Sequence, residues 1–151
     1  MFTFKRIQTL AVSLDEIWDF VSSPDNLQKI TPSYMGFNVI TPDLPGKMYE
    51  GMIIAYTVSP VLGFKMKWVT EITHVKDKEF FIDVQQQGPY SFWHHEHHFK
   101  ETTDGVLMTD ILNYRPPFGI LGKIANTFII EKKLIEIFEF RKQKLEEIFK
   151  K

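Results

Sequence analysis

Hydrophobic and polar residues alternate with a period of two over most of the chain, and turn residues interrupt the alternation at short intervals. The alternation begins at 2–10 and resumes after residue 36. Short turns, one of them at Ser59-Pro60, separate further predicted strands at 37–41, 48–58, 64–75, 80–87, 91–100 and 106–114. Consecutive strands joined by short turns favour an antiparallel sheet.

Helical spacing occurs on both sides of this block of strands. Ser13 and Glu16 match the S-x-x-E capping box, which predicts a short helix after strand 1, and 25–30 predicts a second one. The longest helical stretch is 121–149, and no proline interrupts it. Its apolar residues predict one buried stripe, flanked by Leu134 and Ile148. The stripe consists of Ile124, Phe128, Ile135, Phe138, Leu145 and Phe149.

These elements predict one α+β domain over residues 1–151. A single helix cannot cover a flat sheet of seven strands, so apolar surface of the sheet would stay exposed on both sides of the helix. We therefore expect a curved antiparallel sheet wrapped around the long C-terminal helix. Such an arrangement leaves an internal space between the sheet and the helix.

Composition narrows the classes of function. The formal net charge is -1 and no basic stripe occurs, so nucleic acid is not an expected partner. The sequence contains no cysteine, which excludes disulfides and Cys-type zinc sites and fits a reducing cytoplasm. No apolar run reaches the roughly 18 residues of a membrane span, and the first residues do not resemble a signal peptide. We expect a cytoplasmic protein without an integral membrane segment.

Candidate chemistry is concentrated on three neighbouring strands. In 91–100, Trp93 and Phe99 share a face with two histidines, and two large aromatic residues indicate that this face is buried. His94, Glu96 and His98 are then expected to face solvent. The inward face carries a cluster of four ionisable residues, namely Asp83, His95, His97 and Asp110.

This cluster has three interpretations. Buried charges are costly unless paired, so we expect Asp–His hydrogen bonds, and the cluster could be a self-satisfied network that fixes strand register. It could instead recognise the polar end of a ligand. Thirdly, it could act in catalysis or hold a metal, since His-x-His with a carboxylate is similar to a zinc ligand set. Because the histidines divide between two strand faces, we expect neither a metal nor another cofactor.

Several segments resemble a known family. The order of elements, with DEIWDF at 15–20, SPDNL at 23–27 and ITP at 30–32, resembles the SRPBCC superfamily, also called START-like or Bet v 1-like. Segments around 81–90, 93–99 and 117–122 are similar to its bacterial ligand-binding subgroup, often labelled polyketide cyclase-like or cell division inhibitor. The resemblance spans nearly the whole chain and implies a helix-grip fold with a hydrophobic cavity. It implies no reaction, because relatives range from lipid carriers to cyclases and chaperone activators.

The predicted function is binding or carrying a small, mostly hydrophobic ligand, such as a lipid, a quinone, or an aromatic or polyketide-like molecule. The predicted ligand-binding residues are Trp68, Phe81, Asp83, Gln85, Trp93, His95, His97, Phe99, Met108, Asp110 and Tyr114. One alternative is a cyclase- or dehydratase-type enzyme that uses the inward histidines and aspartates. Another is a protein-interaction module that uses the exposed sides of the long helix.

Overall fold

The first strand of the chain pairs with the last in a curved seven-stranded antiparallel sheet. The computed structural model describes residues 1–59 and 64–150, so part of the predicted Ser59-Pro60 turn lies outside the described residues. The strands are β1 (Phe2–Leu10), β2 (Asn38–Val39), β3 (Met52–Val58), β4 (Met66–Lys76), β5 (Phe80–Gln87), β6 (Phe92–Thr102) and β7 (Gly105–Arg115). Their order is β1-β7-β6-β5-β4-β3-β2. The predicted single antiparallel sheet is confirmed.

The strands β2 and β3 are shorter than the alternation predicts. The backbone N–H of Met48 donates to the carbonyl of Ser22 at 2.7 Å instead of joining the ladder, so β3 begins only at Met52. The side chain of Met48 still packs against the core. The apolar character of this segment therefore reflects loop packing and not strand pairing.

The helix α1 (Leu14–Val21) begins at the predicted capping box. The backbone N–H of Glu16 donates to Ser13 Oγ at 3.2 Å, and the backbone N–H of Ser13 donates to the Glu16 carboxylate at 3.0 Å. The second predicted short helix is a 3₁₀ helix at Pro24–Ile30, and a further 3₁₀ turn follows at Ser33–Met35. Together these segments cover one end of the sheet with Ile17, Trp18 and Ile30.

The predicted long C-terminal helix is confirmed as a continuous helical segment over 119–148. It consists of α2 (Gly119–Ala125), a π-helical turn at Asn126–Ile130 and α3 (Glu131–Ile148). Leu134, Phe138 and Leu145 are its buried side on α3, where Phe138 lies 4.8 Å from Phe4 between ring centroids. Among the described residues, no helix is long and apolar enough to cross a membrane.

The predicted apolar stripe is wrong over the first half of this helix. Ile124 and Phe128 are 53% and 65% exposed, whereas Gly122 and Asn126 are buried in their place. The π turn contains one residue more than a regular turn, which rotates the preceding residues by about 100° relative to α3. On α3 the prediction is also wrong for Ile135, a member of the stripe, and for the flanking Ile148, since both are exposed.

Candidate ligand-binding site

A cavity of about 190 Å³ lies between the sheet and α3. Aromatic and aliphatic side chains form most of its lining, with contributions from β3 to β7, α3 and the Pro24–Ile30 helix. The predicted residues that line it are Trp68, Phe81, Asp83, Trp93, His95, His97, Phe99, Met108 and Asp110. The structure thus brings most of the predicted set to one internal surface.

Gln85 and Tyr114 do not belong to this lining. The Gln85 amide donates to the carbonyl of Tyr90 at 2.7 Å and accepts from the Tyr90 backbone N–H at 3.2 Å, which holds the turn between β5 and β6. Tyr114 is buried against Leu134 and Phe138 and hydrogen bonds with the side chain of Asn126. Both residues contact side chains or backbone of the lining, because Gln85 holds Tyr90 and Tyr114 packs against Leu134 and Phe138.

The predicted alternation along β6 is present in the structure. His95 and Phe99 are buried. Both line the cavity together with Trp93 and His97. On the other face, the side chains of His94 and Glu96 are 32% and 26% exposed, and His98 Nε2 hydrogen bonds with the Glu96 carboxylate at 2.9 Å. The histidines therefore divide between an internal pair and a surface group.

The internal histidines and two aspartates form a ring of four nitrogen–oxygen contacts, in which His97 Nε2–Asp83 and His95 Nε2–Asp110 are hydrogen bonds. Strand register causes this, because Asp83 on β5 lies opposite His95 and Asp110 on β7 lies opposite His97. His97 Nε2 and Nδ1 lie 2.9 Å from the Asp83 and Asp110 carboxylates respectively. His95 Nε2 lies 3.0 Å from Asp110 and its Nδ1 3.5 Å from Asp83. Trp93 Nε1 completes the set by donating to Asp83 at 3.3 Å.

Both ring nitrogens of both histidines thus face carboxylates, which favours the self-satisfied network among the three interpretations. An imidazole can donate from both nitrogens only when it is protonated, so His97 is best satisfied as a cation. The His95 and His97 rings lie 3.8 Å apart between centroids, which disfavours a second positive charge. The ring is therefore best satisfied with one charged and one neutral histidine.

The electrostatics of the ring agree with this assignment. Burial and the positive charge of His97 lower the pKa of His95. Burial opposes the charged form of His97 too, but hydrogen bonds with Asp110 and Asp83 outweigh it and raise the pKa of His97. Burial likewise disfavours the charged carboxylates, yet the histidines keep the pKa values of Asp83 and Asp110 below the ordinary range.

Folding stability should have a maximum near pH 6.5. The pKa of His97 is raised, so its stabilising contribution is present below its ordinary pKa of 6.5 and is lost as the pH rises through the higher folded value. The pKa of His95 is lowered from 6.5, so the unfolded chain gains a proton below that pH that the folded chain does not. Stability should then fall on both sides, by at most about 1.4 kcal/mol per pH unit for each proton.

Urea unfolding at a series of pH values measures this profile. The variant His95→Asn should lose the acidic side that begins at pH 6.5, whereas His74→Asn, at an exposed position of β4, should retain the wild-type profile. A wild-type profile that is flat around pH 6.5 would contradict the assignment of charge within the ring.

One group of potential metal ligands lies within the same ring. Asp83, His95 and His97 each offer a ligand atom, and these atoms lie within 4.8 Å of one another. A metal would have to displace existing hydrogen bonds, including the one between His97 Nε2 and Asp83 at 2.9 Å. The expectation of no metal remains a prediction, which elemental analysis of untagged protein can test.

Many residues of the lining are absent from the sequence-based prediction, and three polar ones among them bear on the chemistry of the cavity, namely Tyr56, Thr70 and Arg141. Tyr56 and Thr70 hydrogen bond with each other at 3.0 Å on β3 and β4. Arg141 lines the cavity from α3, three residues after Phe138 and four before Leu145. The helical spacing contains the signal that would have found it, because a charged residue there interrupts a buried apolar stripe.

The structure is similar to several solved structures. Protein CV1439 from Chromobacterium violaceum superposes with a TM-score of 0.75 and 11% identity, covering 100% of this chain and 99% of that one. Protein Ms6760 from Mycobacterium smegmatis gives a TM-score of 0.69 and 19% identity, over 97% and 89% of the two chains. Ara h 8.0201, a Bet v 1 homologue, gives 0.63 and 12%, over 94% and 95%.

The chain therefore has a Bet v 1-like helix-grip fold. No family model and no curated protein matches the sequence. Since the identities to the solved structures are low, they carry the fold and not a function.

Proposed function

We propose that the protein binds or carries a small, mostly hydrophobic molecule in the cavity between its sheet and α3. The observation that supports this most strongly is the partly open cavity of about 190 Å³ with a mainly aromatic and aliphatic lining. Folded proteins seldom retain empty internal space, because their interiors are close-packed. A retained apolar cavity is a common location for a ligand.

The size of the cavity limits the ligand. An apolar cavity of about 150 Å³ is enough to hold benzene, and drug-sized sites begin at roughly 300 Å³. At about 190 Å³, this cavity suits a molecule with one or two rings, or a short acyl chain, as it stands. Longer lipids, quinones and polyketide-like molecules would require the cavity to widen.

The aromatic wall should supply most of the binding energy. Trp68 and Trp93 meet edge to face with centroids 5.0 Å apart, and Tyr90 lies 4.8 Å from Trp93. Large aromatic side chains contribute much apolar contact at low cost in side-chain entropy. In this proposal the ring of His95, His97 and the two aspartates is mainly a rigid part of the wall.

The experiment is calorimetric titration of wild type and Trp93→Ala with 2-naphthol. Removing the indole should weaken binding about tenfold or more, since a large buried side chain contributes roughly 1.5–3 kcal/mol. The matched control is Phe92→Ala, which removes an aromatic ring from the adjacent position on β6 outside the cavity lining. Circular dichroism and thermal melts establish beforehand that both variants are folded.

Equal weakening by both variants, or unchanged binding in folded Trp93→Ala, would contradict binding in the cavity. In that case the interaction-module alternative gains support. Its surface would be the exposed apolar residues at the start of the long helix, which are Phe118, Ile120, Leu121, Ile124 and Phe128.

A second candidate function is acid–base catalysis of the cyclase or dehydratase kind. The observation that favours it is the separation of the two histidine pKa values, with that of His95 lowered and that of His97 raised within one cavity wall. Pairs of groups whose pKa values are driven apart are typical of general acid and base partners. Turnover of a candidate substrate that His95→Asn abolishes, with binding retained, would favour this function over simple carriage.

We further propose that residues 1–151 form one domain, which is related to the ligand-binding SRPBCC subgroup. It also includes a cytoplasmic location, which the lack of cysteine in the sequence supports.

A further inference from the structure

Arg141 is a charged residue in the wall of an otherwise mostly apolar cavity. It is half-buried on the same side of α3 as Phe138 and Leu145, and it lines the cavity. Its Nε atom is buried and has no hydrogen-bond partner among the residues that the structure describes. A buried donor without a partner costs about 1–3 kcal/mol, so a fold retains one only where something compensates.

No protein group of the described ranges neutralises this guanidinium. Within 1–59 and 64–150, no carboxylate forms an ion pair with Arg141. The carboxylates of Asp83 and Asp110 line the same cavity but are engaged by His95 and His97. The Phe138 ring lies 5.1 Å from the guanidinium carbon, and this cation–π contact orients the charge without cancelling it.

Further features of the same wall favour an acceptor as ligand. Burial raises the pKa of Tyr56, the Asp83 charge adds to this, and the positive charge of Arg141 opposes it, so the guanidinium acts on the Tyr56 side of the cavity. Trp68 stacks on Tyr56 with centroids 5.9 Å apart, and its buried Nε1 also lacks a hydrogen-bond partner within 1–59 and 64–150. Indole and guanidinium groups are donors only, so unpaired ones require an acceptor from the ligand.

We propose that the cavity is selective for small monocarboxylic acids, with the carboxylate bound by Arg141 and the apolar body packed against the aromatic wall. This inference rests on the proposed function, since it assigns a chemical class to the ligand of the same cavity. An arginine fork binds a carboxylate through two parallel charge-assisted hydrogen bonds, which a neutral group cannot reproduce. The cavity volume of about 190 Å³ restricts the body of the acid to one or two rings or a short chain.

The test compares acids with their neutral carboxamides. The pairs are 2-naphthoic acid with 2-naphthamide, and octanoic acid with octanamide, titrated by calorimetry near pH 7.5, where both acids are ionised. The aromatic pair and the aliphatic pair distinguish the two kinds of apolar body. Wild type should bind at least one acid roughly 10- to 100-fold more tightly than its amide, since hydrogen bonds to charged groups contribute about this much.

Two variants assign this preference to the guanidinium. Arg141→Gln and Arg141→Met should bind acid and amide equally, because the amide never used the charge, and Arg141→Met retains an apolar stem at this position. The matched control is Lys142→Gln, the same loss of charge one residue further along α3 and outside the cavity lining. It should keep the wild-type preference.

Each outcome decides between the two proposals. If wild type binds the amides as tightly as the acids, or if folded Arg141→Gln keeps the preference, the acid-specific inference is wrong while the cavity still binds ligands. If wild type binds neither pair, the proposed function fails as well. Should the variants not fold, the wild-type comparison of acid and amide still decides.

Discussion

Replacing Asp110 with alanine should destabilise the protein by about 3–5 kcal/mol, because it leaves a buried positive charge without one of its two partners. Asp110 lies 2.9 Å from His97 and 3.0 Å from His95, so its loss opens the hydrogen-bonded ring at both histidines. The free energy of unfolding from urea titration near neutral pH measures the effect. Asp110→Asn should lose less, since its amide oxygen can still accept one hydrogen bond.

The matched control for this prediction is Asp15→Ala. Asp15 also forms an ion pair, with Lys78 at 2.7 Å, but its side chain is 73% exposed. Exposed ion pairs contribute little to stability, so this variant should unfold near the wild-type urea concentration. A loss in Asp110→Ala no greater than in this control would show that the ring is not a stabilising network.

Replacing Gly105 with alanine should destabilise the protein by about 3–5 kcal/mol, since it combines backbone strain with overpacking, each of which costs roughly 1–3 kcal/mol. Gly105 has φ +119°, a conformation that side chains disfavour, and an added Cβ would lie 2.0 Å from the carbonyl oxygen of Leu10. This glycine starts β7 opposite Thr102 of β6. The change therefore also disturbs the two strands that carry both histidines and Asp110.

Thermal and urea unfolding of Gly105→Ala measure this effect against Gly46→Ala. An added Cβ at Gly46 meets nothing within 4 Å, so this control should stay within about 0.5 kcal/mol of wild type or gain slightly. Similar stability of the two variants would contradict the described contact between the β6–β7 turn and Leu10.

Much of the cavity wall could be predicted from the sequence because strand geometry has a strict period of two. Trp93 and Phe99 fix which face of β6 is buried, and His95 and His97 follow from that choice. The same argument placed Asp83 and Asp110 on the inward faces of the flanking strands. It could not give their distances, because the register between strands is a tertiary property.

The helix shows where local patterns fail. A regular period of 3.6 predicts Ile124 and Phe128 as buried, but the π turn at Asn126–Ile130 rotates them outward. That turn buries Asn126 against Tyr114, a contact between distant parts of the chain that local spacing does not contain. Arg141, in contrast, was predictable, since it falls on the one part of the stripe that the structure retains.

The central claim is that the cavity between the sheet and α3 holds a small molecule, and native mass spectrometry tests it most directly. The protein is measured as purified without detergent, and again after incubation with an excess of 2-naphthoic acid or octanoic acid. We expect a species heavier than the chain by the mass of one small molecule, and we expect denaturation to release that molecule. The mass of the chain alone under all of these conditions would contradict it.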